Sequence, residues 1–286
     1  MVNIIIEEDL YDHEFVDYWC YGFDELVGRA KEFPVDKVAE ITWVSQEKIV
    51  SAARTIANAE NAILQWGVAI DQTKETIPTA QALLAVFEIC GHMDKPGAMV
   101  VPPSILYYAA GWGSEFLSKE QYAKRIGLPE YPLLNLGFQE CATDELIKTL
   151  ETGKPYKLRA AWLQTTNFLT CTGVDPERTR LAHLNYDFIV YVDLFMNPTA
   201  MALADIFLPA CTFPERNGIR IGDGMQRAET INKVIEPLGE SKSDMEICLE
   251  IGRRIAPEAW PWKTAEEMYS SIIAETGYTF EEMQEL

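Results

Sequence analysis

Histidine, paired cysteines and positive charge are scarce in this sequence. It holds 3 His and 6 Cys among 286 residues. His13, His92 and His183 are scattered, and none lies near a Cys at metal-ligand spacing. Cys20, Cys90, Cys141, Cys171, Cys211 and Cys248 form no C-x-x-C pair, which argues against a zinc ribbon or a thioredoxin-type redox motif. So few cysteines in so long a chain make no disulfide framework. They read as mostly buried free thiols of a reducing or anoxic setting. Lys and Arg total 24 against 44 Asp and Glu, a formal charge of −20. That balance argues against nucleic acid and anionic membrane surfaces as partners. No apolar run reaches the roughly 18 residues that a membrane span needs. No G-x-G-x-x-G follows a strand pattern, and no Walker P-loop or nucleophile elbow is present. A Rossmann NAD site, a P-loop nucleotide site and a hydrolase triad therefore lack support. Gly111-Trp112-Gly113 lacks the third glycine.

What is present is apolar and ordered in pattern. Hydrophobic residues make up 48% of the chain, enough for a substantial core in one large or two ordinary domains. Ser45 is placed to cap a helix carrying Val50, Ala53 and Ile56 at helical spacing, ending near Asn58. Residues 62–66 read as a buried strand breaking at Gly67. Thr79 to Ile89 is apolar almost all round and reads as a buried helix stopped by Gly91. Lys95-Pro96-Gly97 is a turn. Residues 102–132, rich in Gly, Pro and aromatics, read as a long irregular connection. A helix over 144–150 is capped by Thr143 and ended by Gly153. Arg159 to Leu163 reads as a strand, Pro176 to His183 as a helix, and Phe188 to Val192 as a strand. A short helical patch then leads to a further apolar run, Ile206 to Leu208. Helices follow from Ile247 to Ile255 and after a Thr264 cap. Strand–helix alternation with strands apolar on both faces predicts an α/β fold, with parallel sheet covered by helices.

In such sheets ligands bind beyond the carboxyl ends of the strands. Three predicted strand ends are polar: Gly67 to Gln72, Gln164 to Asn167, and Asp193 with Asn197 and Thr199. The bland readings stay open. Asp193 and Asn197 can simply cap the helix that follows, and Gln164 to Asn167 can be a surface turn. The island 215–227 puts Arg216, Arg220 and Arg227 among glycines, which suits phosphate neutralisation or an ordinary hairpin with solvated charges.

The run VDLFMNPTAMALADIFLPACTFPERNG with its following GMQR resembles the catalytic subunits of the molybdopterin oxidoreductase family, the dimethyl sulfoxide reductase and formate dehydrogenase group. LQWGVAIDQ and KPGAMV resemble that family's Trp-Gly strand, its Gln and its Pro-Gly turn. KLRAAWLQTTNFLT resembles the strand leading to its Gly-x-Asn-Pro loop, and EEDLYDHEFVDYWCYGFDEL the preceding helical stretch. Two departures stand out: Thr165-Thr166-Asn167-Phe168 replaces Gly-x-Asn-Pro, and Asn197-Pro198-Thr199 replaces Thr-Glu-Thr.

The resemblance implies Rossmann-like dinucleotide-binding lobes. Residues 1–100 would be the later part of one lobe, 101–240 part of a second, and 241–286 a helical segment beyond it. It implies a bis-molybdopterin guanine dinucleotide cofactor with Mo or W, serving oxygen-atom, hydride or electron transfer on a small molecule. Asp193 and Asn197 would read guanine. Trp66, Gly67, Gln72, Thr165, Thr166 and Asn167 would hold pterin or pyrophosphate, and Gln226 and Arg227 would close over the cofactor. No catalytic residue and no metal ligand is assigned. The abrupt ends of the sequence suggest a central portion of a longer protein, inactive alone, with a 4Fe-4S cluster in a preceding region and an iron–sulfur subunit as partner. The alternative is a non-catalytic electron-transfer subunit of the same fold, of the kind of the large iron–sulfur subunit of complex I.

Overall fold

The computed structural model describes residues 1–100, 117–132, 141–171, 175–221 and 228–286. The chain divides into two compact units, Met1–Pro102 and Pro103–Leu286.

In the first unit the described elements are helical: α1 (Val2–Glu7), α2 (His13–Trp19), α3 (Phe23–Ala30), α4 (Val35–Thr42), α5 (Gln46–Ala57), α6 (Val68–Asp71) and α7 (Thr76–Glu88). Ile4, Ile5, Val16, Ile49, Ala53, Val86 and Phe87 form its core. These positions recur at helical spacing, so each amphipathic helix turns one stripe inward. α5 begins after Ser45 and ends at Asn58, as its pattern predicts.

The strand expected over 62–66 is not formed. The backbone there belongs to no sheet, although Ala62 and Leu64 pack against the core. Ile63 and Trp66 are 66% and 38% exposed. The apolar alternation is real, but without a neighbouring strand it buries one side only. α7 is likewise less buried than its composition suggests. Its last turn enters the core, while Ile77 at its start is 69% exposed. Gly91, at φ +67°, follows that helix, and the Lys95 turn brings Met93 and Met99 into a bridge.

The second unit carries a parallel sheet in the order β1 (Ala160–Gln164), β2 (Phe188–Asp193), β3 (Ile206–Pro209). Gln164 pairs with Val192, and Asp193 with Pro209, so the three carboxyl ends share one rim. Before the sheet come α8 (Lys119–Ala123) and α9 (Thr143–Thr152). α8 lies where an irregular connection was expected. Its Ser118–Gln121 capping box satisfies the first-turn donors.

Helices α10 (Phe168–Cys171) and α11 (Pro176–His183) connect β1 to β2, and α12 (Pro198–Leu203) connects β2 to β3. Alternation along β2 points Val190 and Val192 to one face and Tyr191 and Asp193 to the other. The first face packs Val190, Val192 and Leu208 against Ile247 and Ile251 of α13 (Asp244–Ile255). On the second face Tyr191 stacks on Phe207 at 6.2 Å between ring centres.

An antiparallel pair is formed by β4 (Gly218–Arg220), within the arginine and glycine island, and β5 (Glu229–Ile231), just after it. α14 (Ala265–Ile272) and α15 (Phe280–Gln284) follow, with Tyr269 and Phe280 in a small core of their own. Burial pushes the Tyr269 hydroxyl up to about 12.

Gly252, buried in α13, is covered by the Trp260 ring. A Cβ built there would lie 2.3 Å from a ring carbon. Gly252→Ala is expected to destabilise the protein by about 1–3 kcal/mol through overpacking, despite alanine's better helix propensity. Urea unfolding of parent and variant measures the difference, and equal midpoints at equal slope would show that the ring yields freely.

Candidate functional site at the carboxyl rim of the sheet

The site is built by three short segments in the second unit: the end of β1 with residues 165–167, the end of β2, and the start of α12. One side chain joins them. Asn197 directs Nδ2 at the Thr166 carbonyl (3.1 Å), Tyr191 Oη (3.0 Å) and Asp193 Oδ2 (3.0 Å). Its Oδ1 accepts from the Ala200 amide (3.0 Å) and the Tyr191 hydroxyl (3.1 Å). The Tyr191 hydroxyl also lies against the Thr166 carbonyl. Two amide hydrogens face three oxygens, and the amide oxygen accepts from the Ala200 amide and shares the single Tyr191 proton with the Thr166 carbonyl. Asn197 caps α12 and turns its amide toward the protein. The capping reading is therefore observed for Asn197.

Asp193 is half-buried at the rim. Its Oδ1 accepts from the Leu194 amide at 2.7 Å, and its Oδ2 from Asn197. A carboxylate oxygen has two acceptor directions, and among the described residues one on each oxygen has no donor. Asp193 does not cap the helix. It is aimed by the residue that does.

The 165–167 segment is bound into the same frame. The Thr165 amide donates to the Val192 carbonyl at 3.0 Å. Thr199, fully buried, donates its hydroxyl to Asn167 Oδ1 at 2.8 Å and accepts from the Leu169 amide at 3.2 Å. Thr165 has φ +51°, a left-handed conformation that a β-branched residue adopts at a cost. This is where the family pattern named above has Gly, and the backbone shows why a residue without Cβ suits it.

Beside this frame, Gln164 donates to Asp244 Oδ1 at 2.6 Å and accepts from Trp162 Nε1 at 2.8 Å. His183 packs on Phe168, 4.5 Å between ring centres, and its Nδ1 lies 2.7 Å from the Thr179 carbonyl. Burial holds its pKa below the usual value, with that carbonyl opposing the shift.

Five of the expected site residues thus come together: Thr165, Thr166, Asn167, Asp193 and Asn197. Trp66, Gly67 and Gln72 belong to the first unit, where Gly67 and Gln72 bracket α6 and all three are exposed. Gln226 and Arg227 lie outside the described residues. Tyr191 and Asp244 were not singled out from the sequence, and Thr199 was named at the polar strand end without a role. Alternation could have found Tyr191, two residues before Asp193 on one strand. Nothing local marks Asp244 as a partner of Gln164. Among the described residues no group of three or more His, Cys, Asp or Glu could hold a metal ion. No helix among them is long and apolar enough to cross a membrane.

Three substitutions test this frame. Thr165→Gly should stabilise the protein by about 1 kcal/mol, the relief of left-handed strain exceeding glycine's added chain entropy. Asn197→Ala should cost about 2–4 kcal/mol, because it removes a helix cap and strands Tyr191 and Asp193. Tyr191→Phe, losing the hydroxyl alone, should cost about 1–2 kcal/mol. Chemical denaturation ranks the three, and a neutral Asn197→Ala would refute its role as the node.

A family model described as molybdopterin oxidoreductase matches residues 3–254. Acetylene hydratase of Syntrophotalea acetylenica is 32% identical over 99% of this chain and 42% of its own length. Formate dehydrogenase H of Escherichia coli (strain K12) is 29% identical over 89% of this chain and 36% of its own. The solved structure of acetylene hydratase from Pelobacter acetylenicus matches with a TM-score of 0.84 at 30% identity, covering 99% of this chain and 42% of that one. The chain spans about two-fifths of the length of these relatives. By the family model, sequence and fold alike, this chain belongs to the molybdopterin oxidoreductase family of enzymes, whose cofactor is a molybdenum- or tungsten-bearing pterin.

Proposed function

We propose that this chain is part of the cofactor-enclosing body of a bis-molybdopterin guanine dinucleotide oxidoreductase, and that Asp193 recognises the guanine. The observation that carries the reading is the state of the Asp193 carboxylate. It stands at the carboxyl rim of a parallel sheet with one open acceptor direction on each oxygen. Guanine presents two donors side by side, N1–H and the exocyclic amine, which a carboxylate accepts as a charge-assisted pair. Adenine presents a bare N1 acceptor on that edge, which the carboxylate repels. The acceptor pair at the rim therefore fits a guanine nucleotide.

Asn197 acts on the base through Asp193, which it holds in place. Thr165, Thr166 and Asn167 are proposed to face pterin or pyrophosphate, as are Trp66, Gly67 and Gln72 from the first unit. Gln226 and Arg227 are proposed to close over the phosphates. On this reading residues 1–100 and 101–240 are parts of two lobes, with 241–286 a helical extension. When bound, the pterin-held metal supplies the oxygen-atom, hydride or electron transfer.

A hydratase and a formate dehydrogenase are both among the relatives. Their names denote different reactions, so binding of the cofactor, not one substrate, is the function argued for this chain. A 4Fe-4S cluster and an iron–sulfur partner subunit are proposed for the whole protein, and the 286-residue chain by itself is proposed to be inactive. An open carboxylate at the rim favours the enzyme over a metal-free electron-transfer subunit of the same fold.

The test is cofactor retention in the full-length protein. Losing a paired, charge-assisted contact costs on the order of 1.5–3 kcal/mol. Asp193→Ala and Asp193→Asn should both lower the metal content and the GMP released by acid hydrolysis, roughly 10- to 100-fold in affinity. Full loading of both variants at equal purity would count decisively against Asp193 as the guanine reader.

A further inference from the structure

The end of α13 reads Glu250-x-x-Arg253-Arg254. On a helix a carboxylate neighbours the cations three and four residues on, so this spacing favours an intrahelical ion pair. That pair is not made. Glu250 Oε1 instead accepts from Lys242 Nζ at 2.5 Å. Arg253 and Arg254 are both exposed, and among the described residues they make no ion pair and no side-chain hydrogen bond. By contrast Arg29, Arg54, Arg159, Arg178, Arg180 and Arg220 each pair with a carboxylate. Two adjacent guanidinia without a carboxylate stand out in a chain of 44 acidic residues. They line a groove of about 460 Å³ together with Glu250, Pro257, Trp260 and Pro261. One wall of it is firm, because the Trp260 ring lies over Gly252 and meets Trp262 edge-on at 6.4 Å.

We propose that this groove is a docking surface for an acidic segment of a partner polypeptide, each guanidinium taking one carboxylate of the segment. Cations in the last turn of a helix also offset its dipole, but that role needs only charge. The fork of an arginine matches a carboxylate two bonds at a time, and Trp and Arg are the side chains that most often dominate protein interfaces. Consecutive helix positions do not face each other, so Arg253 and Arg254 are poorly placed to clamp one small anion. They suit two acidic groups spaced along a chain, with the Trp260 and proline surface taking the apolar part between them. The chain's charge of −20 repels an acidic partner at long range. At physiological salt that field is screened beyond roughly 8 Å, and the groove's own lining carries two unpaired cations against one paired carboxylate. Lys242 acts here without touching the partner, by holding Glu250 away from the two arginines.

The test is fluorescence anisotropy of a labelled hexaglutamate peptide with the full-length protein at about 0.15 M salt, with hexaglutamine and inorganic phosphate as comparisons. Circular dichroism confirms the fold of each variant. Hexaglutamate should bind and hexaglutamine should not. Arg253→Ala and Arg254→Ala should each weaken binding roughly 2- to 10-fold, and the double variant should abolish it. Replacing both by Lys keeps the charge and its effect on the dipole, yet should still weaken binding. Lys242→Met should weaken it too, because Glu250 is released to pair with the arginines, and adding Glu250→Gln should restore it. Failure of the parent to bind hexaglutamate, parental affinity in the double alanine variant, or no rescue by Glu250→Gln overturns the proposal. Displacement of the peptide by phosphate at equal concentration would identify a simple anion site. Self-association of the parent that the double alanine variant abolishes, seen by sedimentation, would identify a second copy as the occupant. Either of these outcomes also overturns the proposal.

Discussion

One amide, that of Asn197, holds three segments of the rim at once. It caps α12, satisfies the Thr166 carbonyl after β1, and fixes the Asp193 carboxylate at the end of β2. The Thr166 segment lies 31 residues before Asn197 in sequence, and it meets the other two because parallel pairing brings the carboxyl ends of β1 and β2 to one edge. In a medium less polar than water each such bond strengthens, and each partner left alone is costly. The rim therefore behaves as a unit. Its geometry is set before any ligand arrives, which limits the ordering that binding has to impose.

The same saturation decides which atoms face outward. Asn197, Tyr191 and Thr199 spend their hydrogen bonds on the protein. Asp193 keeps two acceptor directions, and the Leu194–Met196 loop keeps its side chains in solvent. The strained backbone at Thr165 fits this division. A residue held at φ +51° persists only where its surroundings over-determine it, and here the Val192 carbonyl and the Asn167–Thr199 bond do so. Fixed polar contacts on the inner side leave a small, chemically specific outer surface.

Much of this architecture was legible in the sequence because the strands of the second unit are apolar on both faces and their ends are abrupt. The polar residue after each apolar run marked where β1 and β2 stop, to within a residue. Helix caps such as Asn197 and Thr264 could be placed because a short polar side chain before a helical pattern has a local function. Residues 62–66 show the limit. An apolar run states that a segment touches a core, but pairing depends on whether another strand lies alongside, and that is a property of the tertiary fold. The site shows a second limit. Asp193 and Asn197 looked equivalent in sequence, two polar residues flanking one loop, and only the count of hydrogen bonds separates the aimed group from the one that aims it. The Gln164–Asp244 bond joins positions far apart in sequence, and no local pattern could announce it.

The chain's charge adds a constraint on how such a rim binds an anionic dinucleotide. At a formal charge of −20 the long-range field repels phosphate, and only within about a Debye length, roughly 8–10 Å, do local groups decide the outcome. Many described cations are already committed: Arg54 to Glu8, Arg178 to Glu151, and Lys157 and Arg159 to Asp187. They depress the pKa of those carboxyls and have little charge to spare for a ligand. Asp193 itself adds a negative charge at the rim. Its contact with a guanine edge is thus better suited to choosing the base than to supplying most of the affinity. Affinity must come from terms that net charge does not oppose, namely burial of the flat faces of base and pterin, or from cations brought close to the phosphates. That requirement gives an arginine in the 215–227 island a physical reason to exist. It also explains how selectivity and tight binding can reside in different side chains of the rim and its neighbours.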